Sequence, residues 1–116
     1  MLGYMRLLGL FILAAAMTFA ADITGKWTAN VVLDAGSGSP NFEFHQTGDK
    51  ITGTYSGTVG EAKLTGTVTG NKVEFSFEAG EAGSVKYSGT LDGDKKMSGT
   101  CEYGALGKGT FTATKN

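Results

Sequence analysis

The 116-residue sequence contains only one cysteine, one proline, one histidine and one tryptophan. A single cysteine cannot form a disulfide within the chain, so a small disulfide-built domain is excluded. The near absence of proline, with glycines that follow no three-residue period, excludes a collagen-like triple helix. One histidine and one cysteine do not make a ligand set for zinc, so we expect neither a metal nor a cofactor.

The sequence also has no block of like charge. The chain has ten basic and eleven acidic residues, and the two signs of charge are interspersed along it. Nucleic-acid binding needs a clustered cationic surface, so we expect no nucleic-acid partner. The length allows a single domain with a modest core.

The long apolar run lies at the start of the chain. Arg6 precedes the apolar segment Leu7 to Met17, and Thr18-Phe19-Ala20 offers small residues at the positions that a signal peptidase recognises. A spanning helix needs about 20 apolar residues, so the run is too short for an anchor. We predict a signal peptide at residues 1–20, cleaved after Ala20 or Ala21. The single domain 22–116 would be exported to the periplasm or the medium, with no membrane insertion.

Glycine and threonine are abundant: residues 21–116 hold 17 glycines and 14 threonines among 96 residues. Both residue types form helices poorly. The rest of this region alternates apolar and polar residues between Gly, Asp and Asn turns, which is typical of strands. The alternation predicts eight strands at 25–33, 42–45, 51–56, 62–68, 73–78, 85–91, 97–103 and 109–114.

The two faces of these strands differ in a consistent way. The outward face carries Thr, Ser, Lys and Glu, whereas a membrane barrel would present apolar residues to lipid. Eight strands with short sequential connections predict an all-β, up-and-down antiparallel barrel, with a two-sheet sandwich of the same order as the alternative. Nine aromatic residues have inward parity: Trp27, Phe42, Phe44, Tyr55, Phe75, Phe77, Tyr87, Tyr103 and Phe111.

A recurring unit of the form apolar-x-Gly-x-apolar also marks four strands. Its glycines, Gly53, Gly66, Gly89 and Gly99, all have inward parity. An inward glycine weakens a flat strand, but in a barrel it allows tight coiling and leaves room for an aromatic ring from across the barrel. The pattern therefore favours a barrel whose glycines accommodate its aromatics.

The connections predict two unlike ends. One end would be pinched by three short turns, at Gly48-Asp49, Gly70-Asn71 and 92–94. The other end, which we call the mouth, would be covered by four longer connections, at 34–40, 57–60, 79–83 and 104–108. A ligand would enter at the mouth. The ligand-binding candidates are Val31, Leu33, Phe42, Tyr55, Leu64, Phe77, Val85, Cys101, Tyr103 and Phe111.

Two short segments resemble the calycin barrels, meaning lipocalins and avidins. Gly25-Lys26-Trp27 is similar to their Gly-x-Trp opening, and Thr52-Gly53-Thr54-Tyr55 is similar to a strand of avidin. The resemblance implies that Trp27 plugs the barrel bottom beside a late basic residue, Lys115. It also implies that Tyr55 is the counterpart of the avidin tyrosine that bonds the ureido oxygen of biotin.

The resemblance does not extend to the rest of the biotin site. The asparagine two residues after the tryptophan is Ala29 here, and Trp27 is the only tryptophan. Segments 48–54 and 109–115 also resemble a loose group of small exported bacterial β-proteins.

The reactive side chains form no catalytic set. His45 has outward parity and no nucleophile on its face, and the acidic residues are scattered over turns and outward faces. We therefore expect no enzyme. Two functions remain open: a barrel that binds a small apolar or aromatic molecule at its mouth, and a solid barrel that acts by surface contacts as an exported inhibitor, adhesion or envelope protein. The sequence does not predict an oligomeric state.

Overall fold

The structure is a computed structural model that describes residues 22–116, so the predicted signal peptide lies outside the described residues. Nine antiparallel strands and two single-turn 3₁₀ helices make up this part of the chain. The strands are β1 Gly25–Leu33, β2 Gly36–Gly38, β3 Asn41–Thr47, β4 Lys50–Gly57, β5 Gly60–Thr69, β6 Lys72–Glu78, β7 Ser84–Leu91, β8 Lys96–Tyr103 and β9 Lys108–Lys115. The 3₁₀ turns are Gly80–Ala82, between β6 and β7, and Gly104–Leu106, between β8 and β9.

The sheet closes on itself through its first and last long strands. From β3 to β9 each strand pairs with the next in the chain, and β1 pairs with both β3 and β9. The closing ladder runs from Trp27↔Lys115 to Leu33↔Gly109. The predicted eight-stranded up-and-down barrel is therefore confirmed, and the alternative sandwich is not formed.

The predicted long connection 34–40 is wrong. Asp34 and Ala35 make a two-residue turn, and Gly36–Gly38 pairs with β1 as the extra strand β2. Val31↔Gly38 and Trp27↔Phe42 have the same register, so β2 and β3 run along one edge of β1 as an interrupted strand. The interruption falls at Ser39 and Pro40, because proline has no N–H to donate to a ladder.

The remaining connections only partly match the predicted contrast between the ends. At the mouth, Thr58-Val59 is a two-residue turn and not a longer loop, whereas 79–83 and 104–107 are 3₁₀ connections. At the pinched end, Gly48 and Gly70 open two-residue hairpins with φ of 64° and 61°. No other residue type adopts positive φ within residues 22–116, so glycine alone provides this conformation.

The barrel interior holds the predicted inward residues. All nine aromatics are at most 4% exposed, and apart from the tyrosines and Cys101 the described residues include no buried polar or charged side chain. The aromatics come from seven of the eight long strands, and β5 adds the buried residues Leu64 and Val68 to the same interior. The core is therefore one apolar cluster enclosed by the sheet.

The inward glycines are positions of close backbone approach. A Cβ on Gly53 would lie 1.8 Å from the carbonyl oxygen of Glu43, on the neighbouring strand. A Cβ on Gly66 would likewise lie 2.0 Å from the carbonyl oxygen of Glu74, and one on Gly99 would lie 2.0 Å from that of Ser88. Only Gly89 lies beneath an aromatic ring, since a Cβ there would lie 2.8 Å from Phe111 Cζ. Coiling of the sheet thus explains three of these glycines, and ring packing explains one.

Candidate functional site

Aromatic rings fill the barrel from its pinched end to just below the mouth. Phe75 and Tyr87 stack with centroids 4.8 Å apart and an interplanar angle of 11°, and Phe42 packs edge-on against both. Nearer the mouth, Tyr55 and Phe77 stack at 4.3 Å. Contacts of this kind link all nine aromatics into one network, so the barrel middle has no room for a ligand.

A cavity of about 210 Å³ remains at the mouth. The turns between β1 and β2 and between β4 and β5 form its sides, with Leu106 of the second 3₁₀ turn beside them. Tyr55 and Tyr103, which project from inside the barrel, also line it. The complete lining is Val31, Leu33, Ala35, Gly36, Ser37, Gly38, Pro40, Tyr55, Thr58, Val59, Tyr103 and Leu106. Every one of these side chains is uncharged, and most are apolar.

The ten predicted ligand-binding residues fall into two groups. Four of them, Val31, Leu33, Tyr55 and Tyr103, line the cavity. The other six pack below it and are at most 4% exposed: Phe42, Leu64, Phe77, Val85, Cys101 and Phe111.

Sequence reasoning missed the part of the lining that comes from β2 and the turns. Pro40, Thr58, Val59 and Leu106 are examples. Strand parity assigns an inward or outward direction only within regular strands, so it gave no direction for these residues. The apolar residues Val59 and Leu106 inside otherwise polar connections were the available signal.

Tyrosine hydroxyls supply the polar groups beneath the cavity. The Tyr87 and Tyr103 hydroxyls hydrogen-bond each other. Burial raises the pKa of Tyr87, and the neighbouring Tyr103 adds to that rise. Burial also raises the pKa of Tyr103, while its hydrogen bond with Tyr87 opposes part of the increase. Both phenols are therefore neutral donors at physiological pH.

The Tyr55 hydroxyl lies at the cavity wall. A Cβ on Gly57 would be 2.6 Å from this hydroxyl and 3.0 Å from Pro40 Cβ, so the tyrosine occupies the space that Gly57 leaves open. Tyr55 is 2% exposed, and it lies close enough to Tyr103 to help raise the pKa of that phenol. The cavity is therefore lined by a phenolic hydroxyl that a ligand can engage.

The opposite end is closed by the segment before β1. Ile23 is 0% exposed, its carbonyl oxygen accepts a hydrogen bond from Trp27 Nε1 at 2.9 Å, and its N–H donates to Gln46 Oε1 at 3.0 Å. Trp27 and Lys115, the two residues of the predicted plug, are ladder partners in the closing pair of strands. The Lys115 chain runs against Gly25, where a Cβ would meet its Cε at 2.7 Å.

The reactive side chains of the described residues lie apart. Cys101 is buried and free, and burial raises the pKa of its thiol to about 11, which keeps it protonated at neutral pH. His45 is exposed on β3. Residues 22–116 contain no group of three or more His, Cys, Asp or Glu side chains that could hold a metal ion. No helix within the same residues is long and apolar enough to cross a membrane.

Comparison with known proteins gives a likeness of fold. No family model matches the sequence, and no curated protein matches it. A solved structure that matches is a redesigned β-barrel, mFAP1, bound to DFHBI. The two have a TM-score of 0.54 and 12% sequence identity over 81% of this chain and 94% of that one. At this identity the likeness establishes the small antiparallel barrel and nothing finer.

Proposed function

We propose that this chain is an exported, non-enzymatic, calycin-like barrel that binds a small apolar or aromatic molecule in the mouth cavity. The observation that carries the proposal is the uncharged cavity of about 210 Å³, into which buried tyrosine side chains project. Ligand sites are typically concave and apolar, with a few polar groups that orient the ligand. The matched barrel is named as binding DFHBI, which is compatible with a small ligand here.

The position of the cavity agrees with this role. The aromatic network fills the barrel below, and Ile23 and Trp27 occupy the opposite end. A molecule would therefore enter and leave between the β1–β2 hairpin and the β4–β5 turn. Export rests on the signal-like segment 1–20, and the calycin-like assignment rests on Gly25-Lys26-Trp27 at the closed end.

A second candidate is the solid barrel that acts by surface contacts as an exported inhibitor, adhesion or envelope protein. The cavity is smaller than the range of about 300 to 1,000 Å³ that is common for drug-sized ligands. Val32 is 58% exposed on the outer side of the hairpin, and Leu106 is 38% exposed at the mouth. Both residues would then belong to a protein interface.

The two functions are distinguished by filling the cavity. Gly38 lines it, lacks positive φ, and would bring a Cβ near only one atom, Thr58 Oγ1 at 3.4 Å. We expect Gly38→Leu to fold normally and to occupy the cavity. Native mass spectrometry of protein recovered from its own host should show a retained small molecule on the unchanged chain and none on Gly38→Leu.

A matched control is Thr110→Leu, which places the same side chain on the outward face of β9. It should keep the ligand. If the unchanged chain carries no small molecule, and soaking with small aromatic compounds moves no amide resonance around Gly38, Thr58 and Leu106, the carrier proposal is overturned. The surface function would then be pursued through Val32→Ser.

A further inference from the structure

The Tyr87–Tyr103 hydrogen bond has a preferred direction. Each phenol can donate one hydrogen and can also accept. Within residues 22–116, Tyr103 is the only hydrogen-bond partner of the Tyr87 hydroxyl, which lies below the cavity and does not line it. If Tyr103 donated to Tyr87, the hydrogen of Tyr87 would be buried without an acceptor, which is costly. Tyr87 is therefore the donor, and the hydrogen of Tyr103 is directed elsewhere.

That remaining hydrogen belongs to a residue of the cavity lining. Tyr103 lines the cavity, and Tyr55 is the other tyrosine in the lining. Within residues 22–116 the Tyr103 hydroxyl forms a hydrogen bond with Tyr87 and with no other group, so its own hydrogen is left without an acceptor. The cavity thus offers a donated hydrogen bond from a neutral, buried group.

Size and charge restrict the ligand further. An apolar cavity of about 150 Å³ accommodates benzene, so about 210 Å³ fits one aromatic ring with a small substituent. None of the lining residues is charged. An ion would lose much of its hydration and gain no charged partner, and one phenol hydrogen bond does not replace that hydration, so anions and cations are both disfavoured.

We propose, on the basis of the function proposed above, that the cavity selects a neutral, single-ring aromatic molecule whose acceptor oxygen receives the hydrogen bond that the Tyr87–Tyr103 pair presents. Tyr103 determines this specificity, and Tyr87 positions the hydroxyl of Tyr103.

Four probes of similar shape test the proposal: acetophenone, isopropylbenzene, benzoate and benzamidine. Acetophenone carries a neutral acceptor, isopropylbenzene carries none, and the last two are an anion and a cation. Affinity is measured for each by amide chemical-shift titration of the protein at pH 7. We expect both neutral probes to bind and both ions to fail.

The decisive comparison is the effect of Tyr103→Phe on the two neutral probes. A net hydrogen bond between neutral groups contributes about three- to tenfold in affinity. Tyr103→Phe should therefore weaken acetophenone by that factor and leave isopropylbenzene within about twofold. An equal effect on both probes overturns the proposed selectivity and leaves the binding function standing. If none of the four probes binds, the binding function itself fails, and this inference fails with it.

Tyr87→Phe tests the direction of the bond and serves if Tyr103→Phe does not fold. With Tyr87 as the donor, its removal leaves the hydrogen of Tyr103 available, so acetophenone affinity should stay equal or fall slightly. With the opposite direction, Tyr87→Phe would release the hydrogen of Tyr103 to the cavity and increase acetophenone affinity. Such an increase overturns the assignment of Tyr87 as the donor.

Discussion

At the scale of single residues, the inward glycines do two different things. At three of them, Gly53, Gly66 and Gly99, an added Cβ would lie only 1.8 to 2.0 Å from a backbone carbonyl oxygen of the adjacent strand. Gly89 instead lies beneath the ring of Phe111. Backbone atoms held by a ladder cannot move aside alone, whereas a ring can rotate or shift in part.

The difference leads to a stability prediction. Gly53→Ala should lower the free energy of unfolding by about 2 to 3 kcal/mol, because the new methyl group must displace β3. Gly89→Ala should cost about 1 kcal/mol, since it meets the end of a side chain. Urea unfolding followed by Trp27 fluorescence measures both. Equal losses in the two variants would show that Phe111 is held as firmly as the sheet backbone.

Among the elements, the long strands could be predicted from the sequence, whereas the short strand β2 and the segment before β1 could not. Alternation in segments such as Val73–Glu78 places side chains by parity alone, and the register of the sheet follows from it. The Gly-Ser-Gly strand β2 has no alternation and forms because β1 continues to Leu33 and offers it a partner. The cavity lies beside this strand, which is why four of the ten predicted ligand-binding residues line it and the remaining lining was missed.

The segment before β1 was missed for a related reason. Ile23 follows the predicted signal cleavage site closely and belongs to no strand, so no periodic pattern includes it. Its burial depends on tertiary contacts with Trp27 and Gln46. The closed end therefore depends on a short, irregular element as well as on the predicted tryptophan.

This element should contribute measurably to stability. In a chain that begins at Asp22, Ile23→Ala should cost about 2 to 4 kcal/mol of unfolding free energy, because it leaves a cavity at a fully buried position. The control is Val32→Ala, since Val32 is an aliphatic residue that is 58% exposed; its cost should stay within about 0.5 kcal/mol. Urea unfolding compares the two. Similar small losses would mean that residues before β1 do not close the barrel end.

At the scale of the whole molecule, the closed barrel buries three ionisable groups in one apolar core. Cys101, Tyr87 and Tyr103 all have a pKa raised by burial, that of Cys101 to about 11. In each case the folded state favours the neutral, protonated form. Ordinary values in an unfolded chain are about 8.5 for cysteine and about 10 for tyrosine.

This arrangement predicts alkaline sensitivity. As pH rises, the unfolded chain loses these protons first, so it binds fewer protons than the folded chain and stability falls. The contribution of each group is fully present below its unfolded pKa and disappears as pH rises through its folded pKa. We expect unfolding free energy to fall by about 2 kcal/mol between pH 9 and 10, with Cys101 as the largest contributor, and by about 3 kcal/mol between pH 10 and 11, mainly through the two tyrosines.

Two variants separate the contributions in urea unfolding series at pH 7, 9, 10 and 11. Cys101→Ala should flatten the decline between pH 9 and 10. The double variant Tyr87→Phe with Tyr103→Phe removes both hydroxyls together, so it leaves no unsatisfied donor, and it should flatten the decline above pH 10. A stability that stays constant to pH 11, or a decline that neither variant changes, would contradict the assignment of alkaline sensitivity to these three buried groups.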